Sequence, residues 1–167
     1  MTSSKQEQDI VIQINQNFKD IDISPLKIKR LVKAVCNRFG GHKSQDTKYE
    51  INIVIVDDSE IRVLNKQFLN SKANTDCISF DLSDEEKGIK IFDLAVNGEM
   101  AIRQANQRGH SNEAELGLYI THGLLHNLGF DDSTQNQARK MHETEDEILQ
   151  EFGYGLVYNA DKRLKEH

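Results

Sequence analysis

The stretch Tyr49-Glu-Ile-Asn-Ile-Val-Ile-Val56 is rich in β-branched residues, which suit the pleated surface of a sheet. Its apolar content predicts a strand that is buried on at least one face. Three polar residues, Asp57, Asp58 and Ser59, follow it and can cap a helix that carries apolar side chains at helical spacing. The centre of the chain therefore predicts a strand that passes directly into a helix.

Further strands and helices are predicted on both sides of this centre. Before it, Ile10, Ile12 and Ile14 have the period of a half-buried strand, and Ser24-Pro25 opens a helix with one apolar stripe. After it, the pattern predicts strands through residues 77–80 and 89–96, a helix from Ser111-Asn112 to Gly129, and a last helix from Ser133 or Thr134 to Gly153. This mixture predicts an α+β fold in which a small mixed β-sheet packs with about five helices.

The composition is that of one folded domain. The chain has 167 residues, of which 37% are hydrophobic and 29% charged, and no stretch rich in proline, serine or glycine suggests a linker. We therefore expect a single domain over residues 1–167, with frayed ends at 1–8 and 155–167. Since no apolar run or signal-peptide pattern is present, we expect a cytoplasmic protein with no membrane partner. The formal net charge of −6 on its own disfavours nucleic-acid binding.

The stretch Thr121-His-Gly-Leu-Leu-His-Asn-Leu-Gly-Phe-Asp-Asp132 carries the most chemical information. His122 and His126 are four residues apart on a predicted helix, so their imidazoles share one face, as two ligands of a single ion must. A glycine stops the helix, and the chain can then fold back to bring Asp131 or Asp132 to the same ion. Three ligands with a fourth position open are typical of catalytic rather than structural zinc. The spacing therefore predicts a protein that resembles metal-dependent hydrolases.

Ordinary structural roles also account for parts of this pattern. Two histidines four residues apart on a helix often arise by chance, and Asp132 precedes a helix that it could simply cap. A zinc protease would carry a glutamate directly after the first histidine as general base, whereas this chain has Gly123 there. Peptide hydrolysis by the usual mechanism is therefore disfavoured.

Three segments together resemble the bacterial YbeY proteins, a family of endoribonucleases and rRNA maturation factors. The stretch His122–Asp132 resembles the family's HGxLHLxGYDH signature. Leu64-Asn65 with Thr75-Asp-Cys-Ile-Ser-Phe80 resembles its LN…TDVLSF segment, and Asn97-Gly-Glu-Met-Ala-Ile102 resembles its LGDIxIS strand. The order and spacing of the segments agree, and the resemblance spans about Ile51 to Phe152.

This resemblance implies a single-domain α+β fold, one Zn²⁺ ion held by His122, His126 and Asp132, and cleavage of single-stranded RNA. It also implies a role in 3′-end maturation of 16S rRNA and in ribosome quality control. The implied partners are the small ribosomal subunit, ribosomal proteins and an assembly GTPase of the Era type.

Two positions depart from the family pattern. The third ligand is histidine in the family and Asp132 here. A carboxylate oxygen also binds zinc, but it leaves the site about one charge unit less positive, which should raise the pKa of bound water and weaken the attraction for phosphate. Leu69 stands where the family usually has an arginine suited to phosphate recognition, and only Lys66 or Lys72 is near enough in sequence to replace it.

These observations leave three hypotheses. The first is a zinc-dependent endoribonuclease, for which four residues of the matched segments are candidate catalytic groups: Thr75, Asp76, Ser79 and Glu99. The second is a ribosome-assembly factor with weakened catalysis and a structural metal, which both departures favour. The third, a general metallohydrolase or protease, depends on the histidine spacing alone, and Gly123 argues against it.

Positive charge is concentrated in one part of the chain. Residues 27–48 have a local charge of +6, although the whole chain is acidic. On the first predicted helix, four side chains lie off the apolar stripe and could form a cationic face: Lys27, Lys29, Arg30 and Lys33. A solvated helix exterior is the alternative. With the family resemblance, the pattern predicts an RNA-binding face.

Overall fold

The structure, a computed structural model, describes residues 9–40, 47–155, 157 and 158. Its strands and helices, in chain order, are β1 (Asp9–Gln16), α1 (Pro25–Phe39), β2 (Lys48–Val56), α2 (Asp58–Leu69), β3 (Cys77–Asp81), β4 (Ile89–Asn97), α3 (Gly98–Arg108), α4 (Asn112–Asn127) and α5 (Gln135–Glu151). Within the described residues there are thus four strands and five helices, which confirms the predicted α+β class.

The four strands form one mixed sheet in the order β1-β2-β4-β3. β1, β2 and β4 are parallel, and β3 runs antiparallel to β4 at the edge. The register places Ile53 of β2 between Ile14 of β1 and Leu94 of β4. β2, the strand predicted from its β-branched residues, is therefore an interior strand, with every odd-numbered side chain from Tyr49 to Ile55 buried.

The two faces of the sheet are covered differently. Side chains such as Ile53 and Leu94 face the larger core, to which α1, α4 and α5 contribute their apolar stripes. On the opposite face, Ile61 of α2 packs in a smaller cluster with Ile78 and Ala95. Because α4 lies against β3 and β4 on the larger side, the sheet supports the helix that carries both histidines.

Two glycines set the path of the chain around the histidines. A Cβ on Gly123 would lie 2.8 Å from Sγ of Cys77 and 3.0 Å from Cδ2 of Leu94, so only glycine allows α4 to approach the sheet this closely. Gly129 has a φ of +101°, a conformation that favours glycine, and it reverses the chain directly after α4. The helix and the segment 130–132 therefore meet on one side.

Two segments differ from what the sequence suggests. The strand predicted for residues 89–96 is β4, but residues 98–102, which resemble a strand of the family, begin α3. The Asn97 side chain accepts a hydrogen bond from the Met100 amide and so caps this helix, with Glu99 in its first turn. The tail expected to fray from residue 155 is partly fixed, since Val157 is buried and its amide donates to Asp146.

Both ends of the chain and part of the basic segment 27–48 lie outside the residues that the structure describes. The predicted frayed segment 1–8, the tail 159–167, and Lys43 of the basic segment all lie outside the described residues. None of the helices in the described part of the chain combines the length and apolarity that a membrane span requires.

Candidate metal centre

His122, His126 and Asp132 converge on one point at the end of α4. The two histidine Nε2 atoms are 3.1 Å apart. Oδ2 of Asp132 lies 3.7 Å from Nε2 of His122 and 3.4 Å from Nε2 of His126. The predicted fold-back of the chain after Gly129 therefore brings all three predicted ligand atoms into one small triangle.

The size of this triangle fits a zinc ion. Two ligand atoms about 2.0–2.1 Å from a tetrahedral ion lie roughly 3.3–3.4 Å from each other. The three observed separations, 3.1, 3.4 and 3.7 Å, are centred on that value. Two imidazoles and one carboxylate are also a donor set that zinc accepts, and three protein ligands is the number that catalytic zinc sites use. The residues present thus fit the ion that the sequence predicts.

Each histidine is held by a hydrogen bond at its other nitrogen. Nδ1 of His122 lies 2.9 Å from Oε1 of Glu145, and Nδ1 of His126 lies 3.2 Å from the carbonyl oxygen of Phe130. If each Nδ1–H donates to its oxygen, each Nε2 is left with a lone pair for a metal ion, as metal-binding histidines generally require. Burial acts to lower the pKa of His122, but the Glu145 carboxylate outweighs it and the pKa lies above its usual value.

The two neighbouring aspartates have different roles. Asp131 accepts hydrogen bonds from the amides of Asp132 and Ser133 and from the Ser133 hydroxyl, and these bonds lower its pKa. Thr134, rather than Asp132, caps α5 through a complete capping box. Because the turn and the cap are both provided by other residues, the carboxylate of Asp132 remains available as a metal ligand.

A second group of possible ligands shares His122. It consists of His122, His142 and the buried Glu145, with Nδ1 of His142 3.3 Å from Oε1 of Glu145. In this group His122 would use Nδ1, the nitrogen that pairs with Glu145. We favour the His122/His126/Asp132 group because it leaves that buried pair intact and uses both Nε2 atoms.

A cavity of about 410 Å³ adjoins the metal centre on the side of His122. Of the four candidate catalytic residues, Thr75 and Asp76 line this cavity. Ser79 lies further along β3, on the strand face that it shares with Cys77 and hence towards α4. Glu99 lies at the start of α3, where its carboxylate accepts a hydrogen bond from the Asp58 amide. The structure therefore brings two of the four candidates to the cavity.

A buried polar network holds the loop that carries Thr75 and Asp76. Asn97 is fully buried, and its amide nitrogen donates to Asp58, to the Asn74 side chain and to the carbonyl oxygen of Thr75. The Arg103 guanidinium, 2.5 Å from Asp58, holds the pKa of that carboxyl well below its usual range. Sharing a hydrogen bond with Asp58 raises the pKa of Glu99. The network anchors the loop beside His122.

Of the predicted RNA-binding residues, Lys27 lies at the opposite end of α4 from the metal centre, and Lys29, Arg30 and Lys33 follow it along α1. The Ser24 amide at the start of α1 donates to Glu113 in the first turn of α4, and Nζ of Lys27 lies 4.0 Å from the centre of the Tyr154 ring. At the other end of α1, Phe39 contacts Phe130, which follows α4. With a rise of 1.5 Å per residue, Glu113 and His126 are about 20 Å apart along α4. Arg30 and Lys33 are exposed, whereas Lys27 and Lys29 are partly buried.

The structure adds residues that the sequence analysis left without a role. His142, Glu145, Arg108, Glu115 and Tyr158 all line the cavity. One signal was available for Glu145, because it lies four residues after Met141 and three before Ile148, two apolar residues on the same helix face. A carboxylate on the buried face of a helix requires a partner, and His122 is that partner.

Comparisons with known proteins agree with this architecture. The family model described as Endoribonuclease YbeY matches residues 13–153. Relatives named Endoribonuclease YbeY include that of Macrococcus caseolyticus, which is 37% identical over 115 residues (65% of this chain and 75% of the relative). That of Caldicellulosiruptor bescii is 32% identical over 156 residues, 86% of this chain and 97% of the relative. The solution structure of TM1509 from Thermotoga maritima shares the fold, with a TM-score of 0.55, 22% identity, and coverage of 86% of this chain and 88% of that chain.

The fold is an α+β domain that gathers two helix-borne histidines and one aspartate around a single point, a group of three side chains that could hold a metal ion. Within that fold class, the match over residues 13–153 decides the family: the chain belongs to the YbeY family.

Proposed function

We propose that this protein is a zinc-dependent endoribonuclease that cleaves single-stranded RNA. The observation that carries the proposal is the triangle of His122, His126 and Asp132, whose dimensions suit zinc in a chain whose relatives are named endoribonucleases. The side chains of this triangle are 22% to 39% exposed, so RNA can reach the site.

Each group of residues at the site would have its own role in the proposed reaction. His122, His126 and Asp132 hold the ion, and Glu145 and the Phe130 carbonyl keep the two imidazoles in the required tautomer. When bound, zinc polarises a phosphoryl oxygen and lowers the pKa of water. Thr75 and Asp76, which line the cavity, would contact the RNA. Gly123 packs against the sheet, so no carboxylate stands at the position that zinc proteases use for their base.

Cleavage of a defined RNA tests the proposal. The zinc-loaded wild type should cut a labelled single-stranded oligonucleotide and leave the matching duplex intact, while chelation of zinc should stop cleavage. His126→Ala should bind zinc poorly and lose the activity, whereas His167→Ala, which changes a histidine of the C-terminal tail, should retain both. If wild type and His126→Ala cleave equally with zinc added, or if neither cleaves, the endonuclease proposal is wrong.

The biological substrate belongs to the same proposal. We expect the cytoplasmic protein to act on the 3′ end of 16S rRNA in the small ribosomal subunit, with ribosomal proteins and an Era-type GTPase as partners. Cells that lack the protein should accumulate 3′-extended 16S rRNA, and His122→Ala should fail to correct the defect. Correction by His122→Ala would instead support an assembly factor in which the metal is structural or dispensable.

The basic face of α1 would bind the RNA in addition to the metal centre. Replacement of Lys29 and Arg30 by glutamine should weaken single-stranded RNA binding and flatten its salt dependence by about 0.7 in log–log slope for each phosphate that is no longer neutralised. Arg62 and Lys87, which are exposed elsewhere, provide a matched double-glutamine control. Equal slopes for both double variants would reject the α1 face as an RNA-binding surface.

A further inference from the structure

The cavity beside His122 has the features of a binding site for one nucleotide of the RNA strand. Its volume of about 410 Å³ falls within the range of small-ligand sites. Of the described residues that line it, only Arg108 is an arginine or lysine, and an aromatic stack of His142 and Tyr158 forms another part of its wall. We propose that this cavity binds the nucleotide next to the cleaved bond, with its phosphate on Arg108 and its base against Tyr158. The inference rests on the proposed function, since it assigns a subsite for that RNA.

Arg108 is held in place on one side and faces the cavity with the rest of its guanidinium. Nη1 lies 3.2 Å from Oε1 of the buried Glu115, and Nη2 donates to the carbonyl oxygen of Tyr158. Glu115 is also in contact with Nε2 of His110, so its carboxylate is already shared by two partners. A guanidinium has five N–H donors in a rigid fork, and these bonds leave donors for a phosphate oxygen. Since the Arg108 side chain is 25% exposed, a ligand can reach it.

The need for a cation here follows from the charge of the cavity. Asp76, Glu115 and Glu145 place three carboxyl groups in its wall. Without a compensating positive charge, these groups would repel a phosphodiester. Arg108 is therefore the side chain through which this cavity can accept RNA.

Tyr158 provides the second half of the subsite. Its ring stacks on the His142 ring with centres 3.5 Å apart and planes 6° from parallel, yet Tyr158 remains 40% exposed. Its backbone is anchored, because Asp146 accepts hydrogen bonds from the Val157 and Tyr158 amides. An anchored aromatic ring at a cavity wall is a common means of holding an unpaired base, which single-stranded RNA offers and a duplex does not.

The position of Arg108 indicates which phosphate it binds. Glu115, its partner, and His122 lie on one face of α4, seven residues and thus about 10.5 Å apart along the helix axis. One phosphate cannot span that distance, so the phosphate on Arg108 is a neighbour of the one at the metal centre. Arg108 and Tyr158 should therefore contribute to binding of the RNA strand more than to the chemical step.

Binding of a cleavage-resistant RNA tests the subsite. The probe is a fluorescein-labelled, single-stranded 2′-O-methyl RNA hexamer, titrated with the zinc-loaded full chain at several salt concentrations and followed by anisotropy. Arg108→Gln should weaken binding roughly tenfold and flatten the salt slope by about 0.7, the value for one neutralised phosphate. Arg108→Lys keeps the charge beside Glu115 and should preserve most of the slope. Tyr158→Leu should weaken binding roughly tenfold with an unchanged slope, and Tyr158→Phe should bind like the wild type.

Matched controls separate the subsite from general effects. Arg62→Gln removes an exposed arginine that does not line the cavity, and Phe68→Leu removes an exposed aromatic ring on the other face of the sheet. Thermal unfolding of each variant reports any loss of fold. On cleavable RNA, Arg108→Gln and Tyr158→Leu should raise KM by a similar factor and change kcat little.

The outcomes distinguish the two proposals. If the wild type binds the hexamer with the predicted effects of both variants but cuts no RNA, the subsite stands and the endonuclease proposal fails. If the wild type cuts RNA while Arg108→Gln and Arg62→Gln change the salt slope equally, the subsite is wrong. It is also wrong if Tyr158→Leu binds as the wild type does. An equal loss of binding by Tyr158→Leu and Tyr158→Phe would also overturn it, because it would assign the effect to the hydroxyl group.

Discussion

The hydrogen bond between Glu145 and His122 offers the sharpest test of the metal centre. Glu145→Gln keeps the size and the acceptor oxygen of the side chain but removes its charge. The Glu145 side chain is only 1% exposed and lies 2.9 Å from Nδ1 of His122, so solvent screens this bond very little. The substitution therefore removes the charge from the hydrogen bond to His122, together with the charge facing Nδ1 of His142, 3.3 Å away.

The expected magnitude follows from the type of bond. Hydrogen bonds to charged groups contribute about 1.5–3 kcal/mol and neutral ones about 0.5–1.5 kcal/mol, so the substitution costs roughly 1–1.5 kcal/mol. This corresponds to a loss of roughly tenfold in zinc affinity, at the lower end of the range of about 10–100-fold seen when the partners of metal-binding histidines are replaced. Competition with a chromophoric zinc chelator at constant pH measures the change. Glu147→Gln, on the exposed side of the same helix, should bind zinc like the wild type.

The same measurement distinguishes the two possible ligand groups. If the ion binds His122, His126 and Asp132, then His126→Ala should reduce affinity by on the order of a hundredfold or more, because a full ligand is removed, and His142→Ala should change it little. The reasoning is refuted if Glu145→Gln leaves zinc affinity unchanged. It is also refuted if His142→Ala is severe and His126→Ala is not, since the ion would then lie in the group formed by His122, His142 and Glu145.

Three further predictions concern the surrounding structure. Gly123→Ala should lower the free energy of unfolding by about 1–3 kcal/mol, because its Cβ would approach Cys77 and Leu94 too closely. Gly117→Ala is the control on the same helix, where the nearest contact of a Cβ would be 3.4 Å. It should be neutral or stabilising, and urea unfolding measures both variants. Arg103→Gln should destabilise the protein at neutral pH, since the Arg103 hydrogen bond lowers the pKa of Asp58 in the folded state. That stabilisation is complete above the ordinary Asp pKa of about 3.9 and is lost as the pH falls below it. The Tm difference between wild type and Arg103→Gln should therefore narrow as the pH is lowered from ~5 to ~2. A constant Tm difference would contradict this role of Arg103. Asp132→His makes the site one charge unit more positive and should strengthen single-stranded RNA binding roughly fivefold or more, with zinc retained, as measured by anisotropy; weaker RNA binding with full zinc occupancy would contradict it.

Local patterns predicted the secondary structure well where one signal dominated. The β-branched run at residues 49–56 became β2, and the Ser24-Pro25 start became the first turn of α1. The strand predicted for residues 89–96 became β4, whereas residues 98–102, which resemble a strand of the family, begin α3 because Asn97 caps a helix there. A sequence segment at a helix start can fit either a continued strand or a new helix, and the geometry of the helix cap decides which of the two forms.

The structure brings the predicted ligand residues together for a related reason. His122 and His126 are four residues apart on one helix, a spacing for which helix geometry alone places two side chains together. The cavity beside them could not be predicted in this way. Arg108 and Tyr158, which meet in its wall, are 50 residues apart, and the tail that carries Tyr158 was expected to fray.

By itself, the amino-acid sequence determined the α+β class, the interior strand, the helix that carries both histidines and the position of Asp132 after a glycine turn. These properties depend on periodicity and on contacts over a few residues. Only the tertiary structure decided that Glu145, 23 residues after His122, orients that histidine, and that α1 begins beside the first turn of α4. The physical reason is that long-range contacts depend on how the helices pack across the sheet, and a linear pattern of residues does not specify that packing.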